Sequence, residues 1–364
     1  MTDQQEPKIH KKLYEDIQRG DFRRTIARDY RDLKQFMITE ERHARLAGMG
    51  RFKKIVYISW WLFQGLLLRL TPARRILLAI AIGLLFFQDN MIIGGSSVRV
   101  SFNFNILSMS IVFFILMLEL KDKLLAREEL EAGRAVQLAL TPPRRPDVPG
   151  WHLWLFSRPA NDVGGDLVDF VKISDKRFGV AVGDVAGKGL KAALLTAKLQ
   201  STLRALVTDF TSLSKLTIKL NQIFWRDSLP SLFASMVYVE LKPNSGAVRF
   251  VNAGHLPPLI LRGTSFQKTE KGGAALGLLA STSFPEKSVE LHHDDMLLIY
   301  SDGLTEAQNE AGDFFGEQRL LDLLPRLASS STDVVGEGIL AELDRFIGEA
   351  RAADDVSIAL LRRM

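Results

Sequence analysis

The chain predicts an α+β protein, a strand-rich layered domain preceded by a helical membrane hairpin. Two observations carry this. From Trp151 onward, short apolar runs bounded by turn residues follow one another directly, and the helical stretches come in clusters, which argues against alternating βαβ units. Ahead of them, three apolar runs edged by basic residues fall within residues 55–118. At 364 residues the chain is longer than one core usually serves, so two or three units are expected.

The first unit, residues 1–54, reads as a basic, helical, juxtamembrane region. It holds 14 Lys/Arg against 9 Asp/Glu, which equals the net charge of +5 for the whole chain. An amphipathic helix is expected over 8–46, and charge throughout the first 50 residues predicts no secretory leader. A basic excess suits either nucleic acid or an anionic lipid surface. The apolar runs that follow favour lipid, and no nucleic-acid partner is expected.

Residues 55–118 read as an interfacial helix plus a two-helix transmembrane hairpin. The runs are IVYISWWLFQGLLL (55–68), ILLAIAIGLLFF (76–87, continuing through QDN to MII) and FNFNILSMSIVFFILML (102–118). A spanning helix needs about 20 mostly apolar residues. Arg69, Arg74 and Arg75 precede the second run, Lys121, Lys123 and Arg127 follow the third, and the intervening loop GGSSVRVS has only Arg99. The positive-inside rule then puts both ends of the hairpin in the cytoplasm, at the inner membrane. Trp60 and Trp61 suit a first helix lying at headgroup depth.

Residues 119–150 read as a linker helix and a break. Glu119 and Lys123 stand i,i+4, and Leu118, Leu124, Leu125, Ala132 and Val136 form an imperfect stripe that suggests a homodimer. Four prolines in TPPRRPDVPG then end the helix. From 151 to 364, strands are expected at 152–157, 166–173, 177–183, 233–241, 247–252, 257–262, 287–291, 296–300 and 356–361. Helices are expected at 188–208, at 212–226 and, with a break, at 316–350.

GVAVGDVAGKGLKAALL (179–195) has the glycines of a phosphate loop but not its spacing, and it carries Asp184 where a phosphate would be repelled. A hairpin centred on residue 175 pairs positions that sum to 350, so Asp166 lies opposite Asp184. Like charges so placed destabilise. A hard divalent cation would neutralise them. Asp302 ends one apolar run, and Asp354 and Asp355 begin another. Each alone reads as an ordinary turn or loop; together they favour a site for two metal ions. The absence of cysteine excludes disulfides and thiolate chemistry.

RPANDVGGDLVDF, VGDVAGKGLKAAL, VNAGHLPPLIL, LLIYSDGLTEAQNEAGDFFG and the terminal DDVSIALL resemble, in order and spacing, the SpoIIE-type branch of the metal-dependent PPM (protein phosphatase 2C-like) serine/threonine phosphatases. The resemblance implies an α-β-β-α sandwich, two antiparallel sheets with helices outside. It implies two divalent cations, Mn²⁺ or Mg²⁺, with Asp166, Asp184 (bridging), the Val185 carbonyl, Asp302 and Asp354 as ligands and Asp355 next in line. Asp184 and Asp166 then carry catalysis, in which a metal-bridged hydroxide attacks phosphorus directly. His293-Asp294-Asp295 departs from the family's Pro-Gly-Asp at a surface turn.

Lys188 and Arg158 are candidate phosphate contacts, against the plainer reading that both are solvated. His255 in the Gly-Pro turn is read as structural, and Glu306 as a weak supporting group. The sequence therefore predicts a membrane-anchored phosphatase whose substrate is a phosphoprotein such as a phosphorylated anti-sigma-factor antagonist. The alternative is a catalytically silent, membrane-tethered phosphoprotein-binding module.

Overall fold

The computed structural model describes residues 42, 45, 46, 49–86, 88–92, 99–227 and 232–364. Apart from 42, 45 and 46, the helix expected over 8–46 lies outside the described residues. The chain divides into two compact units, Met1–Leu124 and Leu125–Met364.

In the first unit, α1 (Arg51–Arg69) and α2 (Pro72–Phe86) are joined by a short turn. Pro72 opens α2, where its fixed φ suits a helix start. A two-stranded ladder of β1 (Gln88–Ile92) and β2 (Arg99–Asn103) follows, pairing Gln88 with Asn103 and Ile92 with Arg99. Helix α3 (Asn105–Leu140) then begins. Ser108 donates to the Ala81 carbonyl at 2.7 Å, and Arg74 bonds Glu119 and Asp122, each at 2.6 Å. Glu119 thus pairs with Arg74 of another helix rather than only facing Lys123 on its own.

This architecture corrects the expected transmembrane hairpin. Among the described residues, no helix is long and apolar enough to cross a membrane. At 1.5 Å per residue, the 15 residues of α2 reach about 22 Å, short of the roughly 30 Å hydrocarbon core. The residues that would have lengthened it, Gln88 to Ile92, form strand β1 instead. The apolar part of α3 ends at Leu118, where Glu119, Lys121, Asp122 and Lys123 begin a charged stretch.

The second unit is two five-stranded sheets, in which every ladder is antiparallel. One has the order β10-β7-β6-β5-β4 and the other β3-β12-β11-β8-β9. The first comprises β4 (Asp166–Ser174), β5 (Arg177–Val185), β6 (Ala234–Leu241), β7 (Ala247–Ala253) and β10 (Lys287–Glu290). The second comprises β3 (Trp151–Arg158), β8 (Leu259–Arg262), β9 (Ser265–Lys268), β11 (Met296–Tyr300) and β12 (Val356–Arg363). Alternation sorts their side chains. Val180, Val182, Val237, Val239, Ile299 and Leu361 point between the sheets. Ala181, Met236 and Tyr238 point outward under α4 (Leu190–Leu206) and α5 (Leu213–Asp227). Leu298, Ile358 and Leu360 point outward on the other side under α7 (Gly316–Leu327) and α8 (Thr332–Ile347), and the short α6 (Asp302–Thr305) precedes α7. The layers are α-β-β-α, as expected, and the break anticipated within 316–350 falls between α7 and α8.

The β4–β5 register pairs Asp166 with Asp184. The loop itself is two residues, Asp175 and Lys176, with Ser174 opposite Arg177, a sum of 351. A bulge between Lys172 and Ser174 restores the sum of 350 for the rest of the ladder and puts both aspartates on the face between the sheets.

Packing against the second sheet is close at Gly336 of α8. A Cβ there would stand 2.5 Å from the indole of Trp154, which is fully buried. Gly336→Ala would gain about 1 kcal/mol of helix propensity, whereas overpacking costs roughly 1–3 kcal/mol. The clash is expected to win, giving a lower urea midpoint for the Gly336→Ala protein; a midpoint at or above the parent's would show that Trp154 can yield.

Candidate functional site

The acidic residues singled out by the sequence converge on one end of the sandwich. Asp166 opens β4, and Asp184 lies near the end of β5 on the same inter-sheet face as Val168, Val180 and Val182. On the other sheet, Asp302 follows β11 after Ser301, while Asp354 and Asp355 precede β12. Those two strands pair Tyr300 with Ile358, so the end of one and the start of the other share an edge.

Asp355 holds this end together. Its Oδ1 accepts from the Ala160 N–H at 2.7 Å, and its Oδ2 accepts from Gly165 at 2.6 Å and Asp166 at 3.3 Å. Both oxygens therefore accept from backbone donors, Oδ1 from Ala160 and Oδ2 from the Gly-Gly-Asp loop, and the residue expected to stand next in line as a ligand acts here as a clamp. The approach leaves no room for side chains. A Cβ on Gly164 would meet Oδ2 of Asp355 at 2.6 Å, and one on Gly303 would fall 1.9 Å from the Asp355 carbonyl. Gln137, near the end of α3, fastens the same loop by donating to the Gly164 carbonyl at 2.8 Å and accepting from its N–H at 3.1 Å.

Crowding shows in the protonation chemistry. Burial, then repulsion from Asp184 and Asp355, pushes Asp166 well above the usual carboxylate range, while Ser357 and Ser301 pull the other way. Its Oδ2 is buried and has no hydrogen-bond partner. Asp184 is pushed up to about 6 by burial and then by Asp302, Asp354 and Asp355. Asp302 is raised by burial and by Asp354. An all-oxygen, all-acidic donor set with an orphaned buried oxygen fits a hard divalent cation in its chemistry. Among the described residues, however, no three Asp, Glu or His side chains are gathered closely enough to enclose one.

The remaining candidates are placed as follows. Val185 is fully buried, and its N–H donates to the Gly165 carbonyl at 3.3 Å. Lys188 donates to the Ala353 carbonyl at 2.7 Å and stands 3.1 Å from Asp354, beside the acidic loop. Arg158 pairs with Asp344 of α8 at 2.8 Å and does not line the cleft. Glu306 is exposed, and its N–H bonds the Asp302 carbonyl at 2.7 Å.

A cleft of about 320 Å³ opens at this end, lined by Asp184, Asp302, Ser235, His255 and Lys271 among others. The sequence analysis did not single out Ser235 or Lys271. Ser235 is legible only through register, because β6 sets it directly across from Asp184. Lys271 lies in a loop and had no signal beyond its charge. His255, read from the sequence as structural, is buried and hydrogen-bonded and also lines the cleft.

Comparison with known proteins places this arrangement. The family model described as Stage II sporulation protein E (SpoIIE) matches residues 174–364, more than half of the chain. Protein IcfG of Synechocystis is 25% identical over 345 residues, covering 85% of this chain and 53% of that protein. The phosphoserine phosphatase RsbU of Bacillus subtilis is 26% identical over 239 residues, covering 65% of this chain and 70% of its own. The chain thus spans about half the length of the first of these relatives. Among solved structures, the RsbU and RsbW domains of a Mycobacterium tuberculosis protein align with a TM-score of 0.53 at 28% identity, over 60% of this chain and 61% of that one. The SiaA-PP2C domain of Pseudomonas aeruginosa aligns with a TM-score of 0.58 at 21% identity, over 67% of this chain and 98% of its own. The motifs, the two-sheet layering and the matched span lead to one conclusion: this chain belongs to the SpoIIE family and carries its PP2C-type phosphatase fold.

Proposed function

We propose that the chain is a metal-dependent protein serine/threonine phosphatase that hydrolyses a phosphorylated regulator, such as an anti-sigma-factor antagonist. The observation that carries this is the convergence of Asp166, Asp184, Asp302 and Asp354 from both sheets on one end of the sandwich, where Asp184 and Asp302 line the cleft. Support for the substrate class comes from two relatives named as phosphoserine phosphatases, RsbU and RsbP.

Asp166, Asp184, Asp302, Asp354 and the Val185 carbonyl would hold two divalent cations, Mn²⁺ or Mg²⁺. Such ions acidify bound water and neutralise charge on a transferring phosphoryl group. The chain's own residues do the rest. Asp355 fixes the Gly-Gly-Asp loop, Lys188 steadies Asp354, and Lys271 offers a cation at the cleft. Having no cysteine, the chain has no thiolate to take up phosphate, which is consistent with direct attack by water. The silent phosphoprotein-binding alternative draws on one observation, that the carboxylates are not gathered into a three-residue ligand group.

We place the protein at the cytoplasmic face of the membrane. Trp60, Phe63, Ile80, Phe113 and Met117 are exposed on α1, α2 and the first half of α3. Contiguous apolar surface of that kind marks an interaction or membrane site. Leu125, Val136 and Leu138 are exposed further along α3, which supports the homodimer through the linker helix.

Three outcomes are expected. The full chain with Mn²⁺ releases phosphate from a phosphoserine peptide, and EDTA or Asp184→Asn lowers the rate on the order of 100-fold or more; equal rates for parent and variant would sink the catalytic reading.

The second concerns pH. The folded-state pKa of Asp184 lies above its unfolded value, so its contribution to stability is fully present below about pH 4 and is lost as pH rises through about 6. In EDTA, Asp184→Asn should therefore melt higher than the parent at pH 7.5, with the gap closing towards pH 4. Mn²⁺ should restore the parent at pH 7.5. Melting curves that stay parallel across this range would refute the crowding argument.

Third, the full chain should co-sediment with phosphatidylglycerol vesicles, and Trp60→Glu with Phe63→Glu should release it. Vesicle binding unchanged by both substitutions would rule out α1 as the contact.

A further inference from the structure

The Asn-Ala-Gly-His turn is built to hold one imidazole at the mouth of the cleft. Asn252 brackets His255 on the main chain. Its Oδ1 accepts from the His255 N–H at 2.9 Å, and its Nδ2 donates to the His255 carbonyl at 3.0 Å. The Asn252 carbonyl in turn accepts from Gly273 at 2.9 Å, tying the turn to the 271–273 loop. Gly254 between them takes φ +75°, and a Cβ there would stand 2.7 Å from the Ala275 nitrogen, so only glycine fits.

The ring so held is buried and meets the first sheet at Ser235. Nδ1 lies 2.8 Å from the Ser235 hydroxyl. Ser235 is the register partner of Asp184 and shares the inter-sheet face with Val237 and Val239. Directly opposed residues have Cβ atoms about 4.5–5.5 Å apart. Nε2 is buried and has no hydrogen-bond partner. Burial pushes His255 down to about 4, so the ring is uncharged at neutral pH.

We propose that His255 is a positioning residue, a strut set in the turn bracketed by Asn252, which braces Ser235 and through it Asp184 at the cleft that Asp302 shares. The inference rests on reading those two aspartates as donors to a divalent ion. It assigns Ser235 the role of carrying the strut to Asp184 across the β5–β6 ladder. Groups that orient metal donors in this way cost about 10–100-fold in metal affinity when removed.

The test is calorimetric titration of Mn²⁺ into the full chain at pH 7.5, with the melting temperature of each EDTA-treated protein recorded alongside. Ser235→Ala removes one hydroxyl and is expected to weaken Mn²⁺ binding about tenfold while leaving the metal-free melting temperature within a few degrees of the parent. His255→Ala should weaken it at least as much. His255→Asn, whose amide oxygen can still accept from Ser235, should recover part of the loss. A merely structural histidine would lower the melting temperature and leave the Ser235→Ala affinity unchanged, and that result overturns the proposal. If the parent binds Mn²⁺ no better than Asp184→Asn does, the metal reading itself fails, and the strut fails with it. A parent that binds normally beside variants that bind equally well removes the strut alone.

Discussion

Mutual repulsion among carboxylates is the constraint on which this end of the sandwich depends. Asp166 and Asp184 oppose each other across one ladder, and Asp302 and Asp354 approach from the other sheet. Left to itself, such a cluster would splay apart or take up protons. The hydrogen bonds from Ala160, Gly165 and Asp166 to Asp355 prevent the first, and the raised pKa values of Asp166, Asp184 and Asp302 record the second. The sandwich core supplies the rigidity that makes such a cluster tolerable. Val180 and Val182 lead directly to Asp184 along one face, so the packing that stabilises the domain also aims the carboxylate.

Much of the fold was legible in the sequence because the sandwich strands alternate strictly between two apolar environments. β9 (Ser265–Lys268) was missed for the opposite reason: all four of its residues are exposed, so it carries no burial pattern and is held by its ladder to β8. The pairing of Asp166 with Asp184 was read from a turn centred on Asp175, whereas the structure reaches it through a two-residue loop and a bulge. The two routes agree, because the bulge supplies the residue by which the loop alone would have shifted the ladder. The membrane hairpin failed on length. Apolar composition says that a segment avoids water but not how far its helix runs, and Gln88–Ile92 pair with β2 in place of lengthening α2.

The candidate site divides in the same way. Aspartates next to glycines at strand ends announce themselves. The role of Asp355 did not, because nothing in an Asp-Asp pair says which carboxylate turns inward to the backbone and which outward. Ser235 is a small residue whose place follows from three-dimensional register alone. Lys188 and Arg158, for which solvation is the plainer reading, are each engaged by a nearby acid, Asp354 and Asp344, a pairing that sequence order does not announce.

The bonds from Asp355 to the Gly-Gly-Asp loop also carry a consequence for synthesis. β12 lies between β3 and β11, so β3 has no partner in the second sheet until residues 356–363 have left the ribosome. Before then, the loop near Asp166 lacks the acceptor that shapes it. A nascent chain therefore passes through elongation with an unformed acidic pocket, and any shortened product ending before Asp355 would lack the acceptor that shapes the Gly-Gly-Asp loop.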